Sequence, residues 1–276
     1  MSGPNQPGRV WFRWTLFSVL ATTLVCAGYV VAAEPLEEAV RGTVRIAEGS
    51  SSATAFFVDL GDDQAEQNRR CALVTAAHVF QEMDGATCTL HFRVETEEGG
   101  FSRRETELKI RDDDEPLWVR HPTADVAAMF VTLPKSVDVA PFEIAQIASE
   151  ALFDSKRIRV GQDVYVPCFP AKVESNDAGF PILRKGSIAS YPLNRPTVGG
   201  SILIDYSHFG GDSGGPVTAI VDGEPMIVGV ATAMIRQMNK IESEFEERTT
   251  HTPLGLATAV RSVLLLETLE KLKASE

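Results

Sequence analysis

Gly210-Gly211-Asp212-Ser213-Gly214-Gly215-Pro216-Val217 places a serine between glycines. There the backbone can approach a bound chain closely and adopt dihedrals closed to other residues. An acid precedes the serine, and an apolar segment, Val217-Thr218-Ala219-Ile220-Val221, follows it. Such a turn presents a hydroxyl and can aim backbone N–H groups at the same point. A serine nucleophile needs both, a base to take its proton and donors to hold the oxyanion. Glycine-rich turns with serine are common, so the partners decide.

Five histidines are available as the base. His78 ends an apolar strand pattern, Cys71-Ala72-Leu73-Val74-Thr75, in the sequence Thr75-Ala76-Ala77-His78. A rigid strand end would hold it at a cleft rim. His91 lies inside a strand pattern, His121 precedes Pro122 in a turn, His208 is close to the serine and His251 sits in a polar stretch. His78 is therefore the best base, against the bland reading of a packed or surface histidine. A histidine base needs a carboxylate to fix its tautomer and stabilise imidazolium. Most acids fall in polar runs such as Asp112-Asp113-Asp114-Glu115, which read as solvated turns. Asp125 instead opens the apolar run Val126-Ala127-Ala128-Met129-Phe130-Val131. An acid at the mouth of a buried strand is costly unless paired, which makes Asp125 the partner for His78.

Around these residues the chain alternates short β patterns with Gly, Pro and Asp turns. Gly42–Ala47, Ala53–Leu60, Cys71–Thr75, Cys88–Val94, Glu105–Ile110, Leu117–Arg120 and Asp125–Leu133 read as strands. Gln162–Cys168, Ile182–Tyr191, Ser201–Tyr206, Pro216–Val221 and Met226–Ala233 continue the pattern. This spacing predicts an all-β sandwich or barrel. A short acidic helix is expected over Pro35–Arg41. A terminal helix is expected over Ala257–Leu272, with Val260, Val263, Leu264, Leu266, Leu269 and Leu272 at helical spacing. Asn239–Thr252 is acidic and polar and reads as a long surface loop.

Thr75-Ala76-Ala77-His78, Asp125-Val126-Ala127 and Gly211-Asp212-Ser213-Gly214-Gly215-Pro216 occur in the order His, Asp, Ser. Together they resemble the three signature segments of chymotrypsin-like (trypsin-like) serine proteases, over about residues 42–272. The resemblance implies two packed six-stranded antiparallel β-barrels with a C-terminal α-helix and a cleft between the barrels. It also implies a serine endopeptidase in which Ser213 attacks, His78 shuttles the proton and Asp125 orients His78. Gly211 and Ser213 would supply oxyanion donors, and substrate main chain would pair with Val230-Ala231-Thr232-Ala233. Ser207, Thr232, Ala233 and Met234 would contact the substrate. None carries a charge for Lys or Arg, so a small or medium apolar residue is expected before the cut. Neither a cofactor nor a metal is implied, and the partners would be protein or peptide substrates.

Ser51-Ser52-Ala53-Thr54-Ala55-Phe56-Phe57-Val58 and Leu254-Gly255-Leu256-Ala257 are similar to the bacterial high-temperature-requirement branch. That branch usually has Asn before the serine. Asp212 follows the digestive branch, where the acid often pairs with a newly cleaved N-terminal amine. Arg45-Ile46-Ala47-Glu48-Gly49 faintly resembles an activation site, but Ile46 falls in an expected strand, so no such cleavage is expected. No PDZ module follows Ser213 in this sequence.

Two other readings compete with this one. The serine turn also fits the nucleophile elbow of α/β-hydrolases, which needs an acid and a histidine after the serine. Only Asp222 or Glu224 with His251 could serve, and no βαβ alternation surrounds them. The second rival is a catalytically silent protease fold kept as a binding or scaffold module. Intact His78, Asp125, Ser213 and Gly211 argue against it.

The rest of the chain bounds the setting. Arg9 and Arg13 precede an uncharged run, Trp14–Ala33, ending Val31-Ala32-Ala33. Residues 1–33 therefore read as a signal peptide cleaved after Ala33, with an uncleaved membrane anchor as the alternative. Residues 34–276 form the protease-like domain, exported to the periplasm or beyond, and membrane contact would come only through a retained leader. A net charge of −12 with no basic patch argues against nucleic acid as a partner. Cys71 and Cys88 flank one segment, so neighbouring antiparallel strands would bring them into disulfide range; two buried thiols are the alternative. No CxxC pattern suggests zinc.

Overall fold

In the computed structural model, the residues described are 33–61, 70–193, 200–242 and 247–275, together with Met1 and Gly3. Nearly all of the leader expected over 1–33 lies outside them. Helix α1 (Ala33–Arg41) opens the ordered chain. An N-terminal sheet follows, built from β1 (Thr43–Glu48), β2 (Ser51–Asp59), β3 (Arg70–Thr75), β4 (Thr87–Glu95) and β5 (Phe101–Lys109). Helix α2 (Ala77–Gln81) interrupts it after β3, and the pair β6 (Arg111–Asp112) and β7 (Glu115–Pro116) forms a small separate ribbon. Strands β8 (Val119–Arg120), β9 (Ala127–Thr132) and β10 (Phe142–Glu143) complete this half. The strand order is β5-β4-β1-β2-β3-β9-β8, with β10 added in parallel to β2.

A short helix α3 (Glu150–Asp154) leads into the second half. There β11 (Asp163–Cys168), β12 (Ile182–Ile188), β13 (Ser201–Asp205), β14 (Pro216–Val221), β15 (Glu224–Glu242) and β16 (Glu247–Arg261) close a six-stranded barrel in the order β11-β12-β13-β16-β15-β14. Helix α4 (Ser262–Ala274) ends the chain. The all-β, two-part architecture with a terminal helix agrees with the expectation. The N-terminal half differs in detail: it is an eight-stranded sheet, and its two outermost strands do not pair with each other. β8 is only two residues long, and β5 is largely exposed.

Three cores explain why so many strands read as continuous apolar runs rather than strict alternation. In β2, Ala55 and Phe57 point into the core of the N-terminal sheet, while Phe56 and Val58 point into a second core shared with the barrel and α4. In β3, Leu73 and Val74 divide in the same way. A strand with both faces covered shows no polar face. The shared core collects Val126, Ile227, Val230 and Val260, and α4 adds Leu265, Leu269 and Leu272, spaced to lie on one helix face. The barrel has its own core, centred on Val164, Ile204, Val217 and Ala259.

Three expectations are corrected. The terminal helix begins at Ser262, because residues 257–260 pair with both β13 and β15, Arg261 pairs with β15, and all stay extended. Asn239–Thr252 is not a loop: β15 and β16 run on as a two-stranded ribbon, paired from Arg236↔Pro253 to Glu242↔Glu247. Its charges pair across and along the ribbon, with Lys240 between Glu242 and Glu247 at 3.0 and 2.9 Å. Finally, Cys71 and Cys88 are buried thiols and form no disulfide. They sit on β3 and β4, which β1 and β2 separate in the sheet order. Three strand spacings amount to about 14 Å along the sheet, beyond the reach of a disulfide between flanking strands.

Candidate active site

The site lies where the two halves meet. Ala77 and Phe80 anchor α2 in the N-terminal core, and His78, on the same short helix, is left half-buried. Asp125 sits two residues before β9, which β3 pairs along its whole length. The neighbouring strand ends thus bring the two side chains together. The His78 backbone N–H donates to Asp125 Oδ1 at 2.9 Å, and His78 Nδ1 lies 2.7 Å from Asp125 Oδ2. With a carboxylate as acceptor, Nδ1 carries the proton and Nε2 is left as the basic nitrogen. The hydrogen bond to Asp125 raises the His78 pKa above its usual value, against burial, which lowers it. Burial would raise Asp125, but the bonds from His78 prevail and hold its carboxyl below the ordinary range.

Ser213 faces the same cavity as His78. This cavity of about 350 Å³ is lined by Ser52, Met83, Lys172 and Gly211, among others. The Ser213 hydroxyl donates to the Thr232 carbonyl at 3.0 Å rather than to His78. One χ1 rotation separates such a serine rotamer from another, a fast motion at a partly exposed residue.

The turn around Ser213 is shaped by what holds its carbonyls. Gly210 O accepts from Ala171 N–H, and Gly211 O accepts from the Thr54 hydroxyl, both at 2.7 Å. Asp212 O accepts from Gly215 N–H, and Ser213 O from Thr54 N–H at 2.9 Å. All four carbonyls are therefore engaged by donors of the protein itself. By contrast, the N–H groups of Gly211 and Ser213 have no acceptor among the described residues. This is the polarity an oxyanion site requires.

Two glycines are required by contact as well as by dihedral. Gly211 has φ +99°, and a Cβ there would meet Phe169 O at 2.3 Å. Gly214 has φ +89°, and its Cβ would meet Thr54 O at 2.0 Å and Thr75 Oγ1 at 2.2 Å. Thr75 in turn donates its hydroxyl to Thr54 O at 2.7 Å. Thr54 is thus the hub joining β2 to the serine turn, and also accepts from Phe169 N–H through its Oγ1 at 3.2 Å.

Residues 53–230 match the family model described as a trypsin-like peptidase domain, a span that contains His78, Asp125 and Ser213. The chain belongs to this family. Among solved structures, a crystal structure of the Rv3671c protease of M. tuberculosis H37Rv, a serine-to-alanine mutant in an inactive form, superposes with TM-score 0.51 at 16% identity. The superposition covers 90% of this chain and 94% of that one, and at this identity it speaks for the fold alone. A second structure of that protease, also an inactive form, gives TM-score 0.49 at 17% identity over 88% and 94% of the two chains. No protein with a curated description matches the sequence.

Within this trypsin-like peptidase, the residues expected to contact substrate fall along β15 and the turn before Ser213. β15 pairs with β14 only as far as Val230, and Gly214 and Gly215 bond to Ala231. Thr232 stands at a bulge, where its hydroxyl meets Thr258 at 3.0 Å, and beyond it β15 pairs only with β16. Ala233 and Ser207 are exposed, and Met234 is half-buried. The sequence did not single out three further residues. Thr54 was hidden in a run of β-formers. Arg184, in the strand expected over Ile182–Tyr191, meets Asp212 at 3.1 Å. His208 is buried, with neither ring nitrogen partnered among the described residues. Burial pushes the His208 pKa down to about 4, so the ring is neutral at pH 7.

Proposed function

We propose that this trypsin-like peptidase is an exported serine endopeptidase working through His78, Asp125 and Ser213. The observation that carries this reading is the opposition of two features across one cavity: the Asp125–His78 pair, and a serine turn whose carbonyls are engaged while the Gly211 and Ser213 N–H groups are not. Ser213 Oγ attacks the scissile carbonyl carbon as its proton passes to His78 Nε2, while Asp125 stabilises the imidazolium. The carbonyl oxygen becomes an oxyanion held by the N–H groups of Gly211 and Ser213, each donor contributing roughly 3 kcal/mol. His78 returns the proton to the leaving amine, leaving an ester on Ser213. Water, deprotonated by His78, then releases the acyl group and restores the serine.

Substrate main chain adds to the β15 edge from Thr232 onward, where no second strand competes for its hydrogen bonds. Ser207, Thr232, Ala233 and Met234 surround the residue before the cut and favour small or medium apolar side chains. The leader over 1–33 directs the domain out of the cytoplasm. The deciding test is labelling by a fluorophosphonate, which forms a stable adduct only with an activated serine. The wild-type protein is expected to label and Ser213→Ala to lose labelling; a folded wild-type protein that stays unlabelled and cleaves no peptide in a library sinks the reading.

A further inference from the structure

Asp212 is fully buried and lies directly before the nucleophile. A buried carboxylate without a cation is strongly destabilising, so Asp212 calls for a compensating positive charge. The sequence leaves two sources: an amine created by cleavage before Ile46, or a side chain. Ile46 is fully buried in β1, paired with Ala53 of β2 on one side and Leu90 of β4 on the other. Cutting the Arg45–Ile46 bond would require tearing a strand from the middle of the sheet.

The cation is instead already present. Arg184 on β12 places Nη1 3.1 Å from Asp212 Oδ2. Its guanidinium carbon lies over two aromatic rings, 4.6 Å from the Tyr206 centroid and 5.2 Å from that of Phe209. The same Oδ2 accepts from Phe209 N–H at 2.9 Å and from the Tyr206 hydroxyl. Phe209 N–H and the Asp212 carboxylate therefore close a small ring within the turn, and Asp212 N–H returns a bond to Phe209 O at 3.1 Å. One carboxylate oxygen thus gathers the barrel wall, through Arg184 and Tyr206, and the backbone just before Gly210 and Gly211.

We propose that Arg184 is the built-in positioning residue of the active site: through Asp212 it holds the Phe209–Gly214 turn with its N–H donors toward the cleft, so the site assembles without a newly created N-terminal amine. This deepens the serine peptidase reading and rests on it for its kinetic test, but not for its structural one. Arg184 touches neither substrate nor the reacting atoms. Its loss would leave Asp212 charged and buried, and the turn would move to give that charge water. Neutralising Asp212 removes the need for a cation while Asn keeps an oxygen for Phe209 N–H and Tyr206.

The test uses the full chain, with its intact mass verified, against Arg184→Gln, Arg184→Lys and the double variant Arg184→Gln/Asp212→Asn. The intact chain is expected to be active. Arg184→Gln is expected to lower kcat at least 100-fold with KM within about threefold, while Arg184→Lys stays within about tenfold of wild type. The double variant is expected to recover at least tenfold over Arg184→Gln. Amide hydrogen exchange over residues 207–215 is expected to quicken in Arg184→Gln and not in Arg184→Lys, with the N-terminal sheet unchanged. If Arg184→Gln does not fold, recovery of the fold by the double variant supports the same coupling, and its absence overturns it. Full kcat and unchanged exchange in a folded Arg184→Gln, or activity that appears only after cleavage of the Arg45–Ile46 bond, overturns the proposal. A wild-type chain that neither labels nor cleaves refutes the peptidase reading, and the exchange measurement still decides the role of Arg184.

Discussion

The two halves of the molecule bring different kinds of chemistry to one cavity. The N-terminal sheet delivers side chains: His78 on a short helix and Asp125 before a strand, locked to each other by two hydrogen bonds. The closed barrel delivers backbone: a turn whose value lies in which peptide groups are engaged and which are left open. A side-chain site depends on a few atoms in contact, whereas a backbone site depends on everything that fixes the peptide planes. The first should fail through chemistry with the fold intact. The second should fail through shape, and more gradually.

The largest effect expected on the side-chain half comes from Asp125→Asn. It keeps the volume but offers an amide where His78 Nδ1–H needs an acceptor, and a loss of about 10⁴-fold in kcat is expected. Because Asp125 raises the pKa of His78, the acid limb of the residual kcat/KM profile should also move to lower pH. A kcat/KM profile across pH 4–9 checks both, and an unmoved acid limb would break the assignment of His78 as the titrating base.

Gly214→Ala attacks the backbone half. Its Cβ would overlap Thr54 O and Thr75 Oγ1 in addition to being strained at φ +89°. A stability loss of about 3 kcal/mol or more is expected. Gly223→Ala is the control, since φ is +91° there but nothing lies within 4 Å. That substitution should cost only about 1–2 kcal/mol, the dihedral penalty alone. Equal losses in urea unfolding would show that contact with Thr54 does not matter.

Thr54→Val sharpens the comparison, because Thr54 belongs to the N-terminal sheet yet serves the barrel's turn. Valine keeps the shape and the N–H to Ser213 O but removes the hydroxyl from Gly211 O and Phe169 N–H. The two buried groups left unpaired should cost about 1–3 kcal/mol of stability, with kcat reduced more than KM is raised. A variant as active and as stable as wild type would remove Thr54 from the active-site frame.

The same division explains what the sequence made legible. The meeting of His78 and Asp125 could be anticipated because each side chain stands at the end of an apolar run, where its position is fixed by a strand. The glycines around Ser213 likewise mark a turn with unusual dihedrals. Thr54 could not be singled out, since a threonine among β-formers carries no sign of what its hydroxyl will meet across the domain. Arg184 could not be singled out either, because its partner Asp212 is distant in sequence and nothing in the strand pattern marks the pairing. The β15–β16 ribbon reads as a loop in the sequence because acids and threonines mimic one, although Thr249, Thr250 and Thr252 are also strand formers. Local pattern reports which strands exist; it does not report what covers their second face or how far a hairpin runs.

At neutral pH the smallest expected effect concerns His208, in the barrel half but outside the ring of bonds that holds the turn. Its pKa of about 4 in the folded protein lies below the ordinary 6.5, so the unfolded chain takes up a proton first as the pH falls. Stability from this group is therefore complete above about pH 6.5 and declines toward pH 4, by at most about 3 kcal/mol. His208→Leu removes that titration and two buried nitrogens that have no partner among the described residues. The variant is expected to unfold with a flatter dependence between pH 4 and 6.5, and to be at least as stable as wild type at pH 7. Urea unfolding at both ends of that range tests it. A steep acid dependence retained in His208→Leu would shift the effect to His91, whose burial beside Arg45 likewise lowers its pKa to about 4, and so move the acid-sensitive element from the barrel to the N-terminal sheet.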